Sequence, residues 1–582
     1  MATEHLLEGF PRVSTAAWEA AIARDLKGAD YEKKLIWRSD EGLAVKPYYR
    51  ARDLKDLAFL NAAPGEFPYR RGARATGDWQ IREEIDAPNA EEANRAACAA
   101  AAAGAEGIAF SGFLVKSSGE LSLLLENLDE VPVRFERGDE RLIRLLLEQL
   151  GKRPRAAGIS TGCDALESVE FAADAIHAAP DGFVPFTIHG EAFEEAGATA
   201  VEEVGFALAA GVDFLAAIEE RGAAVDGAAA AIEFSFAMGS NYFFQIAKLR
   251  AFRMVWAQAV KSFGGTQAGA RARIAARTSR WNKTVYDPHV NILRATTEAM
   301  AAVLGGADAV MVAPFDACYR QPGEASRRLA RNTQLLLKHE AWLGRVADTA
   351  GGSYYVEALT DFLARESWKR MQQIEAQGGY RKAQAEGAIV QALERSLAAR
   401  EQAVATRRRG LTGTNQYANP AERALERIDS ERVSRARRGA RIYEELRLRT
   451  ERHVAAGGKT PRVLLAEIGD VKIRMARASF AANFFACAGF EIAARRFWKA
   501  ADIASAKGDL IVLCSSDAEY AALAAKLMPK LKALDRSTPV IVAGRPENAE
   551  ELMAEGVAGF VHARSHPVEV LTRWQEQLGM KD

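Results

Sequence analysis

The chain has 582 residues, and at roughly 150 residues per domain it holds two to four units, fewer if one is a barrel of about 250 residues. Lysine plus arginine and aspartate plus glutamate both total 77, so the formal charge is zero, which argues against nucleic acid or an anionic membrane as the main partner. Charged residues at 26% and hydrophobic residues at 49% describe an ordinary globular protein, and no apolar run approaches the roughly 18 residues of a membrane span. The opening Met1-Ala2-Thr3-Glu4-His5 lacks the basic and apolar regions of a leader, so a cytoplasmic protein is expected.

Residues 1–60 mix an amphipathic helix, Thr15 to Leu26, with irregular chain. Their apolar side chains, Leu6, Leu7, Phe10, Trp18, Leu26, Leu35 and Trp37, have no domain of their own, so the segment reads as an arm that contacts a partner. Residues 61–360 carry strand-helix alternation, clearest from about 105 onward: Gly107 to Phe110, Val131 to Phe135, Phe183 to Ile188, Val212 to Leu215, Arg273 to Arg277 and Ala309 to Val312. The rhythm fits a closed (β/α)₈ TIM barrel, with an open sheet as the alternative.

Residues 361–458 are rich in Arg, Glu, Gln and Ala without a strand signal and read as a helical connector. The basic run 407–409 lies among acidic residues and reads as a solvated helix face. From 459 to 582 the alternation returns, with strands at 462–468, 490–494, 509–515, 538–543 and 557–562. That length and rhythm suit a flavodoxin-like doubly wound domain, in which ligands sit beyond the carboxyl ends of the strands. The first such loop holds only Gly469, not a G-x-G-x-x-G dinucleotide turn, and Gly544 is a tight-turn glycine. The five cysteines and eight histidines are scattered without metal-ligand spacing, so no protein-bound metal is expected and the cysteines read as small buried hydrophobes.

Five ordered strings carry a resemblance: Glu194-Glu195-Ala196-Gly197-Ala198-Thr199; Arg277-Thr278-Ser279-Arg280-Trp281 with Asp287-Pro288; Glu298 to Asp308; Ala330-Arg331-Asn332-Thr333-Gln334; and Asp348 to Glu357. Over roughly residues 65 to 370 they resemble the barrel of cobalamin-dependent methylmalonyl-CoA mutases, and the trailing domain resembles that family's cobalamin-binding domain. The resemblance implies an adenosylcobalamin radical rearrangement of an acyl-CoA, with CoA along the barrel axis and cobalamin on its carboxyl face.

The residues expected to do that chemistry are missing. Active members carry D-x-H-x-x-G after the first strand of the cobalamin domain, the imidazole ligating cobalt. Here the loop is Ile468-Gly469-Asp470-Val471-Lys472-Ile473-Arg474-Met475-Ala476, and no histidine lies between His453 and His562. Asp470 reads as a helix N-cap, with a displaced remnant of the family's aspartate as the alternative. The S-x-L loop has become Ser515-Ser516-Asp517, and the later Gly-Gly turn Ala543-Gly544, so Gly469, Ser515 and Gly544 are vestigial cofactor positions. Asp517 is expected to be desolvated and to repel a phosphate-bearing cofactor tail.

In the barrel, the catalytic string R-G-x-x-x-T-M-Y-x-x-R-x-W-x-I-R appears as Arg71-Gly72-Ala73-Arg74-Ala75-Thr76-Gly77-Asp78-Trp79-Gln80-Ile81-Arg82. It is shortened, and the tyrosine and arginine are lost; Arg74 reads as a surface ion pair, with an anion contact as the alternative. Ala192 stands where the active-site histidine is expected, and His189, three residues earlier, is either a relocated acid or a structural residue.

This profile is similar to the small, non-catalytic subunit of heterodimeric methylmalonyl-CoA mutases. It implies a large catalytic partner that holds acyl-CoA and adenosylcobalamin, with neither cofactor nor catalytic residue on this chain. Arg277, Thr278, Ser279 and Gln334 are candidate substrate contacts should the barrel still take CoA. The alternatives are a rewired mutase for another acyl-CoA, and a regulatory CoA-binding or chaperone-like partner.

Overall fold

A computed structural model describes residues 9, 13–167, 169–435 and 437–580; Leu6, Leu7 and Phe10 of the arm lie outside the described residues. The arm begins with a helix, Thr15–Asp25, capped by Ser14, whose hydroxyl accepts from the Ala17 N–H at 3.1 Å. No residue of this helix is buried. It is tethered by Arg52–Glu19 at 2.7 Å and by Trp18 against Tyr48. Strands β1 (Trp37–Arg38) and β2 (Ala44–Val45) form an antiparallel pair. Val45 is buried and Trp37 meets Phe244 edge-on, so this part of the arm lies on the barrel.

The first large sheet contains β3 (Gln80–Asp86), β4 (Gly107–Ser111), β5 (Val133–Phe135), β6 (Ile159–Thr161), β7 (Phe183–Val184), β8 (Phe186–His189), β9 (Ile232–Met238), β10 (Ile274–Thr278) and β11 (Ala309–Met311). Its order is β7-β6-β5-β4-β3-β11-β10-β9-β8, parallel throughout. The two end strands are consecutive stretches of one extended segment, separated only by Pro185, so the sheet curls onto itself as a TIM-type barrel. The Thr187 N–H donates to Cys163 O at 2.8 Å, carrying the segment across the join.

The expected strand at Val212 to Leu215 is not one. Those residues belong to a helix, Ala200–Glu219, opened by a Thr199/Glu202 capping box. The helix is apolar on nearly every side because the helices Tyr242–Ser262 and Tyr354–Glu375 pack over it. A short apolar run inside such a helix has no period that separates it from a buried strand. Phe206, Leu208, Phe214, Leu215 and Ile218 are fully buried there, each contributing about 1.5–3 kcal/mol by the area removed from water.

The second sheet comprises β12 (Arg462–Glu467), β13 (Glu491–Arg496), β14 (Leu510–Cys514), β15 (Val540–Ala543) and β16 (Gly559–Val561), all parallel, in the order β13-β12-β14-β15-β16. Alternation sends Val463 and Leu465 into one apolar cluster and Leu464 and Ala466 into another, so both faces are covered. Between the sheets, Tyr354–Glu375 packs on the barrel while Arg441–Ala455 packs on the final helix, Pro567–Gln577. Trp281, just beyond β10, shares a cluster with Val404, Leu411, Tyr443 and Leu446, joining barrel, connector and second sheet. Among the described residues no helix is long and apolar enough to cross a membrane.

Candidate functional site

Parallel strands leave clefts at their carboxyl ends, and this chain has two: the barrel mouth and the crevice between β12 and β14, where the order of the second sheet reverses.

The barrel mouth opens into a chamber of about 1040 Å³. Its floor is built from strand residues two apart, whose side chains share the inner face: Arg82 and Glu84 on β3, Arg134 and Glu136 at β5, Thr187 and His189 on β8, Glu233 on β9 and Arg277 on β10. Arg82 donates to both oxygens of Glu233 at 3.0 and 3.3 Å. Arg134 donates to Glu233 at 2.7 Å, to Glu136 at 2.7 Å and to Thr187 Oγ1 at 3.1 Å. Above them Arg277 faces Glu84, Glu136 and Glu191 at 3.2, 3.6 and 3.9 Å.

His189 Nδ1 lies 2.9 Å from Glu191 and Nε2 lies 3.1 Å from the Gly162 carbonyl. Both partners are acceptors, so both bonds form only when the ring carries two protons. Burial is the largest influence and opposes that charge, but the hydrogen bond and charge of Glu191 together with the Gly162 carbonyl outweigh it, and the imidazole pKa is raised. Burial likewise pushes the Glu191 carboxyl up, and His189, Arg277 and Arg134 together bring it down to about 2. Glu233 is also held at about 2, Arg82 and Arg134 outweighing its burial. A lattice of four carboxylates, three guanidiniums and this imidazolium therefore stands where a barrel normally packs branched apolar side chains.

The other mouth residues are engaged in packing. Thr278 Oγ1 accepts from the Ala313 N–H at 2.9 Å. Ser279 donates to Glu194, which Arg400 also grips at 2.9 Å while its guanidinium lies over Trp281. Gln334 is not at the mouth: it lies on the helix Glu324–His339 and accepts from Trp79 Nε1 at 3.2 Å. Arg277, Thr278 and Ser279 are thus brought together and Gln334 is set apart. Arg74 forms a partly exposed pair with Asp308 at 3.5 Å.

The β12–β14 crevice is filled from within. Glu519 accepts from the Ser515 and Ser516 hydroxyls, both at 2.6 Å, and from the Ser516 N–H at 3.3 Å; these hydroxyls hold its carboxyl below the usual range. Gly469, at φ +85°, makes room for that carboxylate: a β-carbon there would lie 2.3 Å from Glu519 Oε2. Arg477 pairs with Asp517 at 3.0 Å beside Gly544. Gly469, Ser515 and Gly544 therefore do converge, on side chains of the chain itself. Asp517 is exposed and paired rather than desolvated, because Arg477 reaches it across the crevice. Asp470 accepts from the Ile473 N–H at 2.9 Å and caps the helix Val471–Ala486.

Adenosylcobalamin does not fit this arrangement: no imidazole stands on the β12 loop, and the space beside it holds Glu519 and Arg474, which donates to Gly469 O at 2.8 Å. Cys318 lines the barrel chamber, but burial raises its thiol to about 11, so it is no thiolate nucleophile at neutral pH. No cluster of metal-ligating side chains occurs among the described residues.

Of the lattice, the sequence points to Arg277 and His189 only. Arg82, Glu84, Arg134, Glu136 and Glu233 carry a signal of their own, charges at alternate positions of short strands, whereas Glu191 lies in the helix Gly190–Glu195 and has none. Ile232-Glu233-Phe234-Ser235 and Val133-Arg134-Phe135-Glu136 show it best.

The sequence profile of methylmalonyl-CoA mutase matches residues 38–113 and 166–468. The methylmalonyl-CoA mutase small subunit of Porphyromonas gingivalis is 36% identical, covering 99% of both chains. That of Streptomyces virginiae is 33% identical over 98% of both. The methylmalonyl-CoA mutase large subunit of Streptomyces virginiae is 32% identical over 79% of this chain and 69% of its own length.

Proposed function

Because the chain belongs to the methylmalonyl-CoA mutase family, we propose that it is the non-catalytic small subunit of a heterodimeric, adenosylcobalamin-dependent mutase whose large subunit carries acyl-CoA and cofactor. The observation that carries this reading is the crevice at the ends of β12 and β14: Glu519 and Arg477 stand there, held by Ser515 and Asp517 of the chain itself, and the β12 loop offers no imidazole to cobalt. The order β13-β12-β14-β15-β16 fits a flavodoxin-like domain that has kept its framework and lost its ligand. In the barrel, both nitrogens of His189 are spent on protein acceptors, which supports a structural histidine over a relocated acid.

The large subunit is the expected partner, in keeping with the separate large-subunit relative. The arm is its expected docking segment, with Trp18 46% and Trp37 48% exposed on elements that bury little of themselves. The test titrates the purified chain with adenosylcobalamin, then adds the large subunit and assays methylmalonyl-CoA isomerisation. Activity only with the large subunit, and no tight cobalamin complex without it, is expected. Turnover by this chain alone, or a histidine-ligated cobalamin spectrum, would falsify the reading. Deleting residues 1–45 is expected to abolish co-purification with the large subunit; unchanged assembly removes the arm from the interface.

A further inference from the structure

The chamber at the barrel mouth, about 1040 Å³, lies at the upper end of small-molecule sites, and its charges do not cancel everywhere. The floor is balanced: Arg82, Arg134, Arg277 and the His189 imidazolium stand against Glu84, Glu136, Glu191 and Glu233. Most of the rim is balanced too. Arg432 meets Asp86 at 3.4 Å, Arg280 meets Glu195 at 3.6 Å, Lys283 meets Glu298 at 2.8 Å, and Arg435 pairs with Glu431.

Three guanidiniums are left over. Arg137, Arg327 and Arg437 line the same chamber, and among the described residues none of them has a carboxylate at ion-pair distance. Arg327 donates to the Pro322 carbonyl at 3.2 Å and feels the charge of Glu83, but Arg331 already holds that carboxylate at 2.5 Å. Asp429, the lining acid that no cation pairs, accepts instead from the Glu431 and Arg432 N–H groups at 3.0 and 3.1 Å. Three unspent cations therefore face one acid whose oxygen is already engaged.

A concave mouth with low-dielectric walls focuses such a field, and guanidiniums match the oxygens of carboxylates and phosphates. The three come from separate places: Arg137 just beyond β5, Arg327 on the helix Glu324–His339 that follows β11, and Arg437 on the connector. β4 and β3 stand between β5 and β11, and three strand spacings amount to about 14 Å along the sheet. A ligand is gripped best there when it carries an anionic group at each end.

We propose that the barrel mouth binds a small molecule with two or more oxyanion groups, a polycarboxylate or a bisphosphate, held by Arg137, Arg327 and Arg437. Because Arg437 belongs to the connector and the other two to the barrel, the bound ligand ties the connector across the mouth. The proposal goes beyond the functional reading and does not rest on it.

The test is isothermal titration of the full-length chain with citrate and, separately, with fructose 1,6-bisphosphate, inorganic phosphate serving as the single-group comparison. Saturable binding of at least one of the two compounds is expected, about tenfold tighter than inorganic phosphate because the second group binds without a further loss of translational freedom. Which compound binds names the class. Arg137→Gln and Arg437→Gln replace exposed side chains and should each weaken that binding about fivefold while circular dichroism stays unchanged. Arg327→Gln should do the same; if it fails to fold, the other two decide. Lys526→Gln removes an exposed cation on the helix Tyr520–Ala533, far from the mouth in the chain, and should leave binding unaltered. No saturable binding by either compound overturns the proposal. So does affinity no better than that for inorganic phosphate, affinity that survives in Arg137→Gln and Arg437→Gln, or an equal loss in Lys526→Gln. None of these readouts involves cobalamin or the large subunit, so the functional reading stands or falls separately.

Discussion

The barrel mouth and the β12–β14 crevice arise from the same topology, parallel strands ending together, yet they are lined in different ways. In the barrel the groups are charges from four strands and the residue after β5, most of them nearly fully buried, each needing its counter-charge. In the crevice they are side chains on two loops and one helix, several of them open to water: Asp517 is 51% exposed and its partner Arg477 29%. Depth sets the character of a closure. A buried one is rigid and all-or-none, because an orphaned charge has no water to turn to; a shallow one is made of separable contacts of small worth.

The largest expected effect breaks the buried side. Glu233→Ala strands Arg82 and Arg134, and loss of one partner from a buried pair costs about 3–5 kcal/mol, so the urea midpoint should fall steeply. Retained stability would mean that water enters the barrel and shields them. At the crevice, Asp470→Ala removes only a helix cap and is expected to cost about 1 kcal/mol in the same assay.

Acidity separates the two regions further. The His189 pKa is raised on folding, so its stabilising contribution is complete below its ordinary value near 6.5 and fades as pH rises through the raised value. Glu191 has the opposite sign: its contribution holds above about 4.5 and is lost as pH falls toward 2. Denaturation followed from pH 5 to 9 should show a decline on the alkaline side that His189→Gln removes. The smallest change is Arg477→Ala, which breaks a half-exposed pair worth about 0.2–1 kcal/mol and should respond to added salt where Glu233→Ala does not.

How much could be read in advance follows the same division. The second sheet was legible strand by strand because most of its strands are short apolar runs between turns, and Asp470 announced its cap. The barrel was legible as alternation, but Gln80–Asp86 carries charges at Arg82, Glu83 and Glu84 that mask its strand character, and Val212 to Leu215 mimics a strand inside a buried helix. The charge lattice was hard to read in advance because a charged residue in a strand ordinarily faces water; only barrel closure turns Arg134 and Glu233 inward. The crevice filling was hidden for another reason. Glu519 lies four residues beyond Ser515, on the far side of a turn, and no period marks it as the occupant.

Trp281 carries a consequence for motion. Its ring is packed under the Arg400 guanidinium, with Arg409 at 5.4 Å, and its backbone carbonyl accepts from the Gly439 N–H at 2.8 Å. Any hinge that swung the second sheet away from the barrel would have to draw this indole out of an apolar cluster shared by both halves. The two halves are therefore geared together. Heat should melt them in one cooperative transition, and a push applied to either face should be felt at the other as a rigid-body displacement.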